Sequence, residues 1–367
     1  MNSKRVYFAN LDMLRFLAAL WVVITHYGYI GPATGVTGYG VTDSAFAASF
    51  FKYGYLGVPL FFILSGFVIA HVSANTSGWK DAPQFMANRI SRLMPAFWAC
   101  MTISAIALTF FGLPDMMSIQ TWLANLILLP QVLGQPFVDG VYWTLVLEFV
   151  FYTWVFFLIG FGLFHKHLLA VCSIWLVISL ANILVFESAV FELLFITYFS
   201  GAFVAGMVIW HARLKGWTLT HFMLMTYSVL SLGFGIQDLG TRADYPEFFA
   251  APGFAVSILW AIICIGIVFL GVFLKDVPVK KSFALALGAI SYPLYLLHQE
   301  FGYAVLRHAT DMGLNPLFMG LVLIGFFVGL AYLVHLTLEK PIRNALIKVL
   351  DTILSIATPK QPLQPAE

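Results

Sequence analysis

A few side chains capable of chemistry sit inside runs that are otherwise apolar. Asp12, Arg15 and His26 fall in the first such run, Ser65 in the second, Glu148 in the fourth, His298 in the ninth, and Glu339 at the end of the tenth. An ionisable group at membrane depth costs roughly 2.5–3.5 kcal/mol or more unless it faces a partner or water, so each is a candidate functional residue. Eleven residues separate Arg15 from His26. At 100° per residue that is three turns plus about 20°, which puts both on one helix face about 16 Å apart along the axis. A line of polar groups along one face fits a passage through the protein. The same spacing also fits a salt bridge between Arg15 and Asp12, with His26 resting among lipid headgroups.

Depth adds a second constraint. Glu148 lies six residues into its run, roughly 9 Å deep, and His298 about eight residues from the same end of its own. With His26 they form a carboxylate and two imidazoles at similar depth, the components of a base and its orienting partner. The plainer readings are that Glu148 hydrogen-bonds a neighbouring helix and that His298 bonds a backbone carbonyl. Arg89 and Arg92, three residues apart on one helix face before Pro95, can together grip a phosphate through bidentate hydrogen bonds. A basic pair flanking a span is also what membrane orientation alone requires.

The elements that would position these residues follow from composition. The 367 residues are 61% hydrophobic and 17% aromatic, with only 10% charged. A soluble domain carries about a quarter charged residues, so a soluble fold is excluded. At about 20 apolar residues per crossing, spans are predicted near 8–28, 54–72, 94–112, 142–164, 167–186, 190–210, 221–237, 252–274, 284–306 and 315–338. The fold class is therefore all-α, a polytopic membrane bundle of about ten transmembrane helices. Segment 118–131 is too short to cross and reads as interfacial or re-entrant; the Gly-rich stretch 28–44 reads as a loop. No polar linker divides the chain, so residues 1–343 form one membrane domain and 344–367 a partly disordered cytoplasmic tail.

Basic residues test this division, because cytoplasmic loops carry the excess. One side holds 15: Lys4, Arg5, Lys80, Arg89, Arg92, Lys166, Arg213, Lys215, Lys275, Lys280, Lys281, Lys340, Arg343, Lys348 and Lys360. The other holds 3, namely Lys52, Arg242 and Arg307. Both termini are thereby expected in the cytoplasm, with the protein in the inner membrane. The first run contains Asp12 and Arg15 and has no small-residue cleavage site after it, so it reads as a retained helix. Cys100, Cys172 and Cys264 lie in different runs without metal-ligand spacing and read as packing residues. The net charge of +2 and the lack of any long basic block argue against nucleic acid as a partner.

Taken in order, the segments resemble the acyltransferase-3 family of membrane proteins, which acylate cell-envelope glycans and other exported substrates. The resemblance rests on NLDMLRFLAALWVVITH (10–26), with Arg, ten residues, then His; on GVPLFFILSGFVI (57–69); and on FMANRISRLMP (85–95), an Arg-x-x-Arg-x-x-Pro element. It continues in WTLVLEFVFY (143–152), where Thr144 replaces the usual Ser, in ISYPLYLLHQ (290–299) and in EKP (339–341). Any one motif is weak, but six in the right order, from about residue 7 to 343, are specific. No extracytoplasmic hydrolase-like domain is expected after residue 343, unlike in some members, which leaves the acceptor open.

The resemblance implies a membrane O-acyltransferase that uses acyl-CoA, in the first instance acetyl-CoA, as co-substrate and needs no metal. Arg89 and Arg92 would hold the phosphates of cytoplasmic acyl-coenzyme A, and the pantetheine arm would pass Arg15 and Ser65 to bring the thioester near His26. His26 would act as general base for a hydroxyl of an envelope polysaccharide or other exported acceptor, with Glu148 orienting or charge-stabilising it; a transient acyl-His26 is compatible with the same residues. The rival reading is a transporter or channel in which Asp12, Arg15, Glu148 and His298 relay ions or protons. A third is a flippase-like partner of a glycan polymerase.

Overall fold

The computed structural model describes residues 7–37, 51–111, 117–241 and 252–357. Lys4, Arg5, Arg242 and Lys360, the 38–44 part of the expected loop and the 358–367 end of the expected tail lie outside the described residues. In hydrocarbon every backbone N–H and C=O must be bonded within the segment, which makes long apolar runs helical. The chain is accordingly a polytopic helical membrane protein, and the described residues contain no strand.

The first crossing is α1 (Ala9–Thr25), prolonged by a π-helical turn over His26–Ile30. After it come α2 (Gly57–Val72), α3 (Ala82–Phe110) and the short α4 (Ile119–Asn125). The middle of the chain forms α5 (Trp143–Gly160), α6 (Leu168–Ala181), α7 (Ala189–Phe195), α8 (Ser200–Lys215) and α9 (Leu219–Thr241). The last third holds α10 (Phe254–Phe273), α11 (Lys281–Leu297), α12 (Glu300–Asp311), α13 (Pro316–Val334) and α14 (Lys340–Ala357).

Nine helices among the described residues are long and apolar enough to cross a membrane. The remaining predicted span, 284–306, is divided: α11 is a shorter apolar helix of 17 residues that ends at Leu297, and α12 starts anew at Glu300. Asp139 holds this break open, its Oδ2 accepting the Glu300 N–H at 3.0 Å and its Oδ1 the Val141 N–H at 3.1 Å. The expected loop at 28–44 also begins later than its glycines imply, since the chain stays helical through Ala33. Residues 344–357 of the expected tail are helical within α14.

The wall that carries Ser65 is built by close approach of α2 and α8. A Cβ on Gly66 would collide with the Phe203 carbonyl, and one on Gly206 with the Ile63 carbonyl. Small residues at such a contact let two backbones meet where lipid offers no hydrophobic drive. Around it, Phe203 stacks on Phe62 at 4.9 Å and lies 4.3 Å from Phe151, which ties α2, α8 and α5 together. Gly66→Ala is therefore expected to lower the thermal stability of the purified protein, at the roughly 1–3 kcal/mol typical of overpacking. Gly266→Ala, where a Cβ meets nothing within 4 Å, is the control and should leave the melting temperature unchanged.

Candidate active site

A cavity of about 430 Å³ opens between α1, α2, α3, α5, α11 and the start of α14. Its charged lining is four guanidiniums, from Arg15, Arg89, Arg92 and Arg343, against one carboxylate, Glu148. Along α5 the lining runs from Tyr152 at the arginine end to Thr144, about 12 Å at 1.5 Å per residue, and along α2 from Ile69 to Val58, about 16 Å. Arg15, Ser65, Arg89, Arg92 and Glu148, widely spaced in sequence, thus share one cavity; His26 is not on its wall.

The polar contacts inside are specific. Glu148 Oε1 accepts from Ser65 Oγ at 3.0 Å and from the Tyr152 hydroxyl, which joins α2 to α5 across the cavity. Among the described residues no carboxylate lies within ion-pairing distance of the four guanidiniums; the ion pair found there is His335 with Glu339, at 2.7 Å. Asp12 instead accepts from the Tyr7 hydroxyl at 2.9 Å, so the Asp12–Arg15 salt bridge that the sequence allowed does not form. Arg89 Nε is buried without a hydrogen-bond partner among the described residues, and its guanidinium lies 5.8 Å from the Phe85 ring. Buried polar groups are nearly always satisfied, so this donor invites an acceptor that the described residues do not supply.

At the far end of the cavity stands Tyr295, whose hydroxyl meets Thr144 Oγ1 at 3.1 Å; Thr144 therefore keeps the hydroxyl of the Ser it replaces in use. Beyond Tyr295 lies a histidine pair. His26 Nδ1 is 3.0 Å from His298 Nε2 and 2.9 Å from the Val22 carbonyl, while His298 Nδ1 is 2.7 Å from the Tyr295 carbonyl. The two rings meet edge to face at 4.7 Å. His298 is 0% exposed, and its own carbonyl accepts the Tyr27 hydroxyl at 2.7 Å. His26 opens the π-helical turn, a feature found often at functional sites.

These contacts correct one expectation: the side chain bonded to His26 is not that of Glu148. Glu148 is engaged by Ser65 and Tyr152 on the cavity wall, and His298 is the imidazole's partner. His298 stands at the C-terminal end of α11, which packs along α1 and so brings the two rings together. Outside the spans, burial and then the neighbouring Glu300 push the Asp139 carboxyl well above the usual carboxylate range, opposed by its bonds from the Glu300 and Val141 amides.

Three contributors escaped the sequence reading. Tyr152 stands four residues after Glu148 and Tyr295 three before His298, both at helical spacing within the motifs, so a signal was present. The sequence marks Arg343 only as an orienting charge after the last span.

Helices enclosing a polar cavity lined by four guanidiniums and one carboxylate define a polytopic membrane protein with a strongly basic interior site. The profile of the acyltransferase-3 family, described as an acyltransferase domain, matches residues 8–336, and the chain belongs to that family. It is also similar to the exopolysaccharide production protein ExoZ of Rhizobium meliloti (strain 1021), with 28% identity over 312 residues covering 80% of this chain and 90% of that relative. No solved structure matches it.

Proposed function

We propose that this acyltransferase moves an acyl group, acetyl in the simplest case, from cytoplasmic acyl-coenzyme A to a hydroxyl of an exported glycan. The observation that carries the reading is the cavity in which four guanidiniums face one carboxylate and one buried guanidinium donor has no partner among the described residues. Such a site suits the phosphates of coenzyme A, since Arg presents paired N–H donors to phosphate oxygens. Arg89, Arg92 and Arg343 would take the phosphates, and the pantetheine arm would extend past Arg15 and Ser65 toward Tyr295. Glu148, held by Ser65 and Tyr152, would keep the wall in register and temper the positive field.

His26 is the base in this scheme. Its ring takes the proton of the acceptor hydroxyl as that oxygen attacks the thioester carbonyl; the carbon–sulfur bond breaks, and the departing thiolate recovers the proton. Ester and free coenzyme A are the products. The relative's name, an exopolysaccharide production protein, supports a polysaccharide acceptor.

The basic split of 15 to 3 supports placing the arginine end in the cytoplasm and both termini on that side of an inner membrane. Reporter fusions at residue 80 and at the C-terminus should score as cytoplasmic; a periplasmic score at either would reverse the direction of transfer. The function itself is tested by mass spectrometry of envelope glycans from cells with and without the gene. Loss of an acyl ester from a glycan on deletion, restored by the wild-type gene, is expected; identical glycans in both strains would overturn it.

A further inference from the structure

His26 has two ring nitrogens, and the groups around them decide which one can take a proton. A neutral imidazole carries one proton, so one nitrogen donates and the other accepts, and the hydrogen bond at one fixes the state of the other. His298 Nδ1 lies 2.7 Å from the Tyr295 carbonyl, which can only accept, so that nitrogen carries the proton. His298 Nε2 is then an acceptor, and it faces His26 Nδ1 at 3.0 Å. His26 Nδ1 also lies 2.9 Å from the Val22 carbonyl, again a pure acceptor. A single proton on His26 Nδ1, shared between the Val22 carbonyl and His298 Nε2, satisfies both contacts and leaves His26 Nε2 bare.

We propose that His298 is the positioning residue of the acyl transfer, holding His26, together with the Val22 carbonyl, in the ring orientation and tautomer whose Nε2 is the proton acceptor. The inference rests on His26 being the base. A chain of directed contacts supports it: Tyr295 O receives from His298 Nδ1, and His298 Nε2 receives from His26 Nδ1. The Tyr27 hydroxyl donates to the His298 carbonyl at 2.7 Å, and Asp139 caps the new helix two residues later. His298 is fully buried, so its ring has no freedom to turn toward solvent. This is the logic of a base oriented by a third group, here with a neutral imidazole in place of the carboxylate. During the reaction His26 Nε2 takes the acceptor's proton, Nδ1–H continues to donate to His298, and Nε2 returns its proton to the thiolate. His298 gains and loses nothing.

The test compares replacements at 298 that keep or remove particular contacts. Gln places an amide oxygen near the Nε2 position and can still accept from His26 Nδ1–H. Asn is too short to reach it, and Leu fills the space without polar atoms. The full-length protein, purified in detergent, is assayed for acetyl-CoA-dependent transfer to the glycan fraction of the deletion strain, with kcat and donor KM measured separately. His298→Asn and His298→Leu should lose on the order of 100-fold in kcat with donor KM unchanged, whereas His298→Gln should stay within about tenfold of wild type.

Equal loss in Gln, Asn and Leu would overturn the proposal by making His298 itself a proton carrier. Unchanged kcat per folded molecule in Leu, with only a lowered melting temperature, would overturn it by making the residue structural. His26→Gln, assayed in parallel, separates this from the parent reading: an active His26→Gln protein removes the base, whereas an inactive one beside an active His298→Leu removes only the positioning role.

Discussion

The His26→Gln protein is expected to insert, fold and bind acyl-coenzyme A like the wild type, yet to transfer acyl groups about 10²- to 10⁴-fold more slowly, the range lost with a general base. The substitution touches no wall of the donor cavity, so donor affinity should not follow activity down. An amide retains hydrogen bonding but cannot take the acceptor's proton at neutral pH. His26→Asn is a stricter form of the same experiment. It places an N–H donor near the Nδ1 position, where Val22 and His298 supply acceptors, and so preserves the local bonds while deleting the base. Both variants should be equally inactive in the glycan-acylation assay. Near wild-type transfer by either would remove His26 from the chemistry and leave the histidine pair a packing feature.

The second large effect is expected at the opposite end of the site. Arg89→Ala and Arg92→Ala should each weaken acetyl-CoA binding by about 10- to 150-fold, because a charged hydrogen bond contributes about 1.5–3 kcal/mol. Both side chains line the cavity, and Arg89 carries the unpartnered Nε. Lysine at either position should restore only part of the affinity, since an ammonium cannot make the two parallel bonds of a guanidinium. Titration calorimetry in detergent, at fixed ionic strength, measures this directly. Unchanged affinity in both alanine variants would return the pair to setting membrane orientation.

The two ends of the site were not equally legible in the sequence. The spans follow from apolar run lengths, whereas the gathering of Arg15, Ser65, Arg89, Arg92 and Glu148 in one cavity was implied only by the resemblance of their motifs to those of the family. Ser65 was readable as a polar residue at depth, and the adjoining Gly66 makes sense once the Phe203 backbone is seen against it. The break between Leu297 and Glu300 was not readable. It depends on Asp139, 161 positions away in sequence from the Glu300 amide that it caps, and no local periodicity encodes such a contact. Depth put Glu148 and His298 on equal terms beside His26, and only the packing of α11 along α1 decides for His298. Arg343 was hidden for a related reason. A basic residue after a span satisfies the orientation rule, and only the turn of α14 back against α3 brings it to the cavity mouth.

Coupled thioester cleavage and ester formation across a sealed bilayer tests the central claim most directly. Wild-type protein is reconstituted into vesicles loaded with acceptor glycan from the deletion strain, acetyl-CoA is added outside, and free coenzyme A thiol and glycan-bound acetyl ester are measured over time. Thiol outside and ester inside should rise together, and both should vanish with His26→Gln. Absence of thioester cleavage in glycan-loaded vesicles whose protein still binds acetyl-CoA would contradict the account and hand the buried charges to an ion or proton relay.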